Sequence, residues 1–268
     1  MGERGDSMPN IKTLIVAVAL LVCWCVPAAA SATEEKATLH ASFSPDRLGA
    51  STTIEFGFDV STVEGLAPPP LSSINLHMPA GMNYTQTTLG LAICQPAALQ
   101  EKGLAGCPAN SRLGYGSAFV EVPFGTGAGH ELPEVQALMG PPSKDSNIVV
   151  LFYANGTTPV YAQLVFRGEL LPATGVFGSQ LTTLVPPIPS VPNGPDVSIL
   201  SVKATIGPNH LTYYKYRHGR RIPFHPIGIA VPERCPHGGF PFSAEFGFQD
   251  GSTTSTSTTV PCPPKRHR

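Results

Sequence analysis

The chain has 268 residues, of which 27 are glycine and 29 are proline, about a fifth of the total against a usual ~12 %. Charged residues make up only 13 %, about half of the usual ~25 %, and the net charge is -1. This composition excludes a coiled coil, a helical bundle and a highly charged disordered chain, because 42 % of the residues are apolar. The glycines and prolines follow no three-residue period, which excludes collagen. A β-rich fold with many turns remains.

Residues 1–32 have the layout of a secretory signal peptide. Lys12 precedes an unbroken apolar run, Leu14–Val26, and small residues follow, with cleavage possible after Ala30 or Ala32. A helix of 13 residues rises only ~20 Å, too short for a hydrocarbon core of ~30 Å. The sequence therefore predicts export, so that the protein is secreted or lies in the cell envelope and meets a membrane only through the signal segment. An uncleaved anchor is the alternative.

Export changes how the cysteines are interpreted. Four cysteines follow the signal segment, and an even count in an exported chain predicts disulfide bonds. Three pairings are possible, and we favour the two that close local loops, Cys94–Cys107 and Cys235–Cys262. A zinc site would need C-x2-4-C spacing, whereas these pairs are separated by 12 and 26 residues, so we expect no metal and no other cofactor.

Short strand-like runs separated by turn residues follow one another along the chain. The run Ile148–Tyr153 is continuously apolar, as in a strand buried on both faces, and Asn155-Gly156 after it is a hairpin signal. One segment, Pro96–Lys102, predicts a short helix, with proline in its first turn and glycine after its end. The other strand-like runs lie at residues 54–58, 74–78, 117–122, 160–166, 181–185, 197–206, 211–216, 227–231, 242–248 and 252–260.

This pattern predicts an all-β fold, a β-sandwich of immunoglobulin-like type with one short helix near residues 96–102. The sandwich is either one large domain or two smaller ones. We place the boundary in the glycine-rich stretch Gly125–Gly129, giving one part at 33–125 with the Cys94/Cys107 loop, a second at 126–263 with the Cys235/Cys262 loop, and a basic tail at 264–268. The proline-rich segment Pro186–Pro195 is either a second linker or a crossing between sheets.

No catalytic motif is complete, so we assign no catalytic residue. The stretch around Ser117 lacks the order of a nucleophile elbow, and the glycines at 125, 127 and 129 do not open a helix as a dinucleotide loop would. His130-Glu131 begins like a zinc-protease motif, but Glu134 stands where the second histidine should be. Leu171–Gly175 spells the sortase pattern LPATG, which we interpret as a turn because 93 residues follow it.

One segment, from Lys203 to Arg234, concentrates cations and tyrosines. A basic patch with aromatic residues can hold a polyanion, since the cations neutralise charge and the rings stack. In an exported protein that partner would be a cell-wall or other anionic polymer, and no nucleic acid is expected. The alternative is a solvated hairpin that turns at Gly219 and whose charges protect an edge strand. The candidate polyanion-binding residues are Tyr214, Lys215, Arg217, Arg220 and Arg221.

Three stretches carry a resemblance to a known group. CPANSRLGYGSA from Cys107, CPHGGFPFSAEFGFQDGS from Cys235 and FSPDRLGASTTIEFGF from Phe43 resemble segments of uncharacterised exported proteins of soil actinobacteria. The last stretch is also similar to a bacterial immunoglobulin-like strand pair. The resemblance implies export, two local disulfides and a β-sandwich, and it implies no activity or functional residue.

We therefore expect a non-enzymatic binding or structural module of the cell envelope or the medium. The absence of a complete catalytic motif and the low charge support this interpretation. The alternative is a secreted hydrolase of polysaccharide or ester whose catalytic acids carry no sequence mark.

Overall fold

The structure is a computed structural model that describes Gly2 and residues 34–84, 89–159 and 161–264. The chain divides into two compact units, residues 1–33 and 34–268, and the description below concerns the second. The predicted signal peptide and nearly all of the predicted basic tail lie outside the described residues.

The described residues are dominated by one antiparallel sheet. Its continuous path has 11 strands: β1 (Glu35–Ser44), β2 (Thr53–Thr62), β3 (Leu71–Pro79), β5 (Arg112–Phe124), β7 (Glu134–Met139), β8 (Ile148–Gly156), β9 (Ala162–Pro172), β10 (Phe177–Leu184), β11 (Ser198–Ile206), β15 (Phe240–Phe248) and β16 (Thr253–Val260). Their order in the sheet is β1-β2-β11-β5-β7-β8-β9-β10-β3-β15-β16.

Five shorter strands complete the β structure of the described ranges. Strand β6 extends the main sheet beside β5, whereas β12 pairs with β13 and β4 pairs with β14 in two separate small sheets. Their bounds are β4 (Asn83–Tyr84), β6 (Gly127–Glu131), β12 (Tyr213–Arg217), β13 (Arg220–Phe224) and β14 (Ile229–Ala230).

The main sheet curls until its first and last strands lie side by side. The hydroxyl of Thr254 in β16 donates a hydrogen bond to the carbonyl oxygen of Glu35 in β1 at 3.0 Å. The prediction of an all-β fold is confirmed, and the strands form a nearly closed sheet of 11 strands. The sandwich architecture and the division near residue 125 stay predictions.

Phenylalanine side chains fill one side of the curled sheet. The rings of Phe43 and Phe240 lie 5.4 Å apart, and those of Phe58 and Phe246 lie 4.8 Å apart, within the range of favourable aromatic pairs. These rings come from β1, β2 and β15, and all four side chains are buried. This side of the interior is therefore packed solid.

The predicted helix, α1 (Pro96–Lys102), covers the outer face of β7 and β8. Its Leu99 is fully buried and packs with Leu138, Val149 and Leu151, the outward side chains of those two strands. The disulfide Cys94–Cys107 encloses the helix, and a second disulfide joins Cys235 to Cys262. The apolar run of β8 is thus covered on its outer face, as its continuous hydrophobicity indicates.

Leu99→Ala should lower the free energy of unfolding by about 2–5 kcal/mol, because it leaves a cavity beneath the helix. Gln100→Ala, at an exposed position of the same helix, is the matched control and should cost less than about 0.5 kcal/mol. Urea denaturation with the disulfides intact measures both. Equal stability of the two variants would show that the helix does not contribute to the core.

Candidate functional site

A cavity of about 270 Å³ lies inside the curled sheet. Most of its described lining comes from ten strands of the main sheet: β2, β3, β5 to β11 and β15. Ile188 and Pro189, from the proline-rich connection between β10 and β11, add to it. That connection folds back on itself, since the amide of Val197 donates to the carbonyl oxygen of Ile188 at 2.8 Å.

Strand β8 shows that the interior is not filled by side chains. Val149 and Leu151 point outward, yet only 1 % and 2 % of their surface is exposed, because α1 covers them. Val150 and Phe152 point inward and line the cavity, yet they are only half-buried. In an ordinary sheet with one packed face the inward side chains are the more buried ones. The order is reversed here because the inward face borders the cavity.

The cavity lining is almost entirely apolar. Of the described residues that line it, only Tyr84, Glu131 and Thr183 carry a polar side-chain group. A buried water needs two to four polar partners, so several waters could not be satisfied in this space. An apolar molecule gains about 25 cal/mol for each Å² that it withdraws from water. The cavity is therefore suited to an apolar occupant.

Tyr84 lies at one end of the cavity. Its hydroxyl donates to the sulfur of Met78 at 3.2 Å and forms a 2.8 Å hydrogen bond with the hydroxyl of Ser179. Burial raises the pKa of Tyr84 to about 12, and the hydrogen bond with Ser179 opposes this shift. The phenol thus belongs to the protein's own hydrogen-bond network.

Glu131 lies at the other end of the cavity. Strand β9 runs from one end to the other. Its first residue, Ala162, pairs with Gly156, which lies against Glu131. Its last residue, Pro172, pairs with Ser179, which is hydrogen-bonded to Tyr84. The amides of Thr157 and Thr158 both donate to Oε1 of Glu131, the latter at 2.9 Å. The cavity-lining stretch of β9 spans eight residue steps from Ala162 to Leu170, about 26 Å along the strand. The two polar ends are thus separated by a long apolar wall.

The five predicted polyanion-binding residues all lie on one hairpin, formed by β12 and β13. The turn between the strands is His218-Gly219, with φ of 50° and 74°, the conformation of a two-residue hairpin turn. The strand register places Lys215, Arg217 and Arg220 on one face and Tyr214 and Arg221 on the other. The structure therefore brings these residues together but divides them between two faces.

The hairpin is attached to the main body through its first residues. Tyr213 is fully buried, and its hydroxyl donates to the carbonyl oxygen of Arg112 and accepts from the amide of Gly90. The side chain of Asn110 makes hydrogen bonds with both backbone groups of Tyr214. The rest of the hairpin is largely exposed.

The cations of the hairpin lack acidic partners. None of the ion pairs among the described residues involves Lys215, Arg217, Arg220 or Arg221. Arg217 and Arg220 stand directly opposite each other across the strands, an arrangement that destabilises a hairpin unless an anion lies between the charges. The guanidinium of Arg221 stacks 3.5 Å above the ring of Tyr214.

A second, polar cleft of about 480 Å³ lies on the outer surface between α1 and the neighbouring strands. It holds two carboxyl groups, those of Glu101 and Glu134, and Glu101 is 3.9 Å from the ammonium of Lys102. The other residues of its lining are Gly103, Leu104, Gln136, Tyr153, Asn155, Tyr161 and Gln163.

Sequence reasoning missed the cavity and both of its polar ends. Glu131 drew attention only as part of an incomplete zinc motif, and Tyr84 carried no signal. Strands with an apolar inward face look the same in a sequence whether that face packs solid or borders a cavity. The described residues contain no group of three or more His, Cys, Asp or Glu side chains able to hold a metal ion.

No protein-family model matches the chain, and comparisons with curated proteins and with solved structures give no match either. Within the described ranges, no helix has the length and hydrophobicity needed to cross a bilayer. The functional argument therefore rests on the residues of this chain.

The raised pKa of Tyr84 predicts a loss of stability in alkali. The folded protein holds the phenol proton more tightly than the unfolded chain, whose tyrosine pKa is about 10. The protonated phenol therefore contributes to the free energy of unfolding. This contribution is complete below about pH 10 and is lost as the pH rises towards 12. Between about pH 9 and pH 11.5, wild type should lose about 2 kcal/mol more than Tyr84→Phe in urea denaturation. Parallel losses in the two proteins would contradict this, because the other tyrosines are common to both.

Proposed function

We propose that this protein is an exported carrier or binding protein that holds an apolar small molecule inside its curled sheet. The observation that carries the proposal is the cavity, whose lining is almost wholly apolar and includes inward side chains that are only half-buried, such as Val150 and Phe152. Its volume of about 270 Å³ is close to the ~300 Å³ lower end of small-molecule sites. The proposal specifies the non-enzymatic binding module that the sequence predicts.

Export is part of this proposal. The signal-like sequence of residues 1–32 supports it, and two disulfides are consistent with an extracytoplasmic protein. An apolar compound dissolves poorly in water, so outside the cell a protein that encloses it can carry it through the aqueous medium. The resemblance to exported actinobacterial proteins and the sandwich architecture remain predictions.

Filling the cavity should abolish binding of an apolar probe. Ala204 lines the cavity opposite Gly116, which has no side chain, so Ala204→Phe places a ring in the empty space. The matched control is Lys203→Phe, one residue earlier and exposed on the outer face. Diphenylhexatriene, a hydrocarbon whose fluorescence rises in apolar surroundings, should bind wild type and Lys203→Phe. Ala204→Phe should weaken its binding at least about tenfold, a cost of ~1.4 kcal/mol.

Unfolding measurements without probe provide a second readout. A ring that enters an already packed core costs about 1–3 kcal/mol, whereas a ring that enters free space costs little. Ala204→Phe should therefore be about as stable as wild type. Absence of probe binding to wild type, or equal binding to Ala204→Phe, would reject the carrier function.

The hairpin supports a second function, attachment to an anionic polymer of the cell envelope. The supporting observation is the set of exposed cations without acidic partners, with Arg217 facing Arg220. This function is compatible with the first one, since attachment would keep a carrier at the cell surface.

Replacing Lys215, Arg217, Arg220 and Arg221 with alanine should weaken retention on a polyphosphate resin at least about tenfold. The matched control removes four exposed cations elsewhere: Lys36, Arg47, Lys102 and Lys144. Salt screens the attraction between exposed charges and the resin, so a variant that is held less tightly elutes at lower salt. Wild type and the control should therefore elute at higher salt than the hairpin variant. Equal elution of the two variants would show that net charge, and not the hairpin, determines retention.

A secreted hydrolase stays the alternative prediction. Hydrolysis of a glycosidic bond uses two facing carboxyl groups, and the apolar cavity contains one, that of Glu131. The polar outer cleft is lined by two other carboxyl groups, those of Glu101 and Glu134.

A further inference from the structure

Glu131 is the charged residue among the described side chains that line the cavity. Only 9 % of its surface is exposed. It pairs with Val120 of β5, and directly opposed residues of antiparallel strands share a face, so both side chains point to the interior. The chain thus places a buried carboxyl group at one end of an apolar cavity, an arrangement that costs free energy unless the group is hydrogen-bonded.

The protein itself satisfies one of the two carboxyl oxygens. Oε1 accepts hydrogen bonds from the amides of Thr157 and Thr158, which fix its orientation. Within the described part of the chain, Oε2 receives no hydrogen bond. A carboxylate oxygen has two acceptor sites, so Oε2 retains its capacity to bind a donor.

Gly156 makes room for this carboxyl group. A β-carbon at this position would lie 2.8 Å from Oε1 and 3.3 Å from Oε2 of Glu131. The carboxyl group therefore lies against the face of β8 at a position that carries no side chain. The orientation of the carboxyl group is set by strand β8 on one side and by the amides of Thr157 and Thr158 on the other.

We propose that Glu131 binds the polar end of the cavity's ligand, and that this ligand is a long apolar molecule ending in a hydrogen-bond donor, a primary ammonium or a hydroxyl group. The inference rests on the proposed carrier function and specifies the class of ligand. A carboxylate accepts hydrogen bonds and donates none, so the partner must supply an N–H or O–H. An ammonium forms the stronger, charge-assisted bond, whereas an anionic head group is repelled.

The long wall between the two ends of the cavity fits this class. Only Tyr84 and Thr183 interrupt its apolar lining, and the hydroxyl of Tyr84 is engaged with Met78 and Ser179. An apolar chain can therefore extend away from Glu131 and leave few polar groups without partners.

Three probes of one chain length test the inference: dodecylamine, dodecanol and dodecanoate. Each is used below its micelle-forming concentration to displace diphenylhexatriene from the full-length secreted protein. Wild type should bind the amine most tightly, the alcohol next and the carboxylate least. The ratio of amine to carboxylate affinity should be about 10- to 100-fold, as expected for a charge-assisted hydrogen bond in a buried site.

Glu131→Gln keeps the shape of the side chain and removes its charge. Its amide oxygen can still accept from Thr157 and Thr158, which turns the amide nitrogen, a donor, towards the ligand. The preference for the amine should then fall at least about tenfold and shift towards the carboxylate. The matched control, Glu64→Gln, removes the same charge at an exposed position outside both the cavity and the outer cleft and should keep the wild-type order.

Diphenylhexatriene has no polar group, so it distinguishes the two levels of the proposal. If it fails to bind wild type, the carrier function itself is wrong. If it binds and Glu131→Gln keeps the wild-type order of head groups, only the role of Glu131 is wrong. If Glu131→Gln no longer binds diphenylhexatriene, the role of the carboxyl group is to hold the backbone of residues 157 and 158 in place. That outcome would also overturn this inference.

Discussion

The near-closure of an 11-strand sheet determines the rest of this structure. In a closed or nearly closed sheet the interior widens with the number of strands, and about eight strands already enclose a space that side chains only just fill. Eleven strands leave a surplus. Phenylalanine rings from β1, β2 and β15 take up part of it, and the inward side chains of β5 and β7 to β11 border the remainder, which is the cavity. The cavity is thus a consequence of how the sheet closes.

The same closure explains a strand that is apolar on both faces. The run Ile148–Tyr153 of β8 borders the cavity on one face, and α1 covers its other face through Leu99. On the outer surface, four exposed cations lie together on the hairpin of β12 and β13, with Arg217 opposite Arg220. One carboxyl group, that of Glu131, lies inside, where two backbone amides stabilise it.

Much of the local structure could be predicted because it depends on nearby residues. The helix has the predicted bounds, Pro96–Lys102, since proline favours its first turn and glycine ends it. Both favoured disulfides are present, because each closes a short loop. Asn155-Gly156 shows the limit of such reasoning. The pair has the composition of a hairpin turn, and β8 does form a hairpin with β9, but Asn155 and Gly156 are the last two residues of β8 and not the turn itself.

The sequence by itself determined the strand-rich class, the positions of the helix and of nine of the 11 main strands, the local disulfides and the grouping of cations on one hairpin; it did not indicate β1 or β7. These follow from periodicity, turn chemistry and short loops, which act over a few residues. Only the tertiary structure decided the strand order, which places β3 between β10 and β15 and brings β1 beside β16. That order depends on contacts between distant parts of the chain, and it alone distinguishes a packed interior from a cavity. The function proposed here therefore became visible only when the inward faces of the strands were brought together around one space.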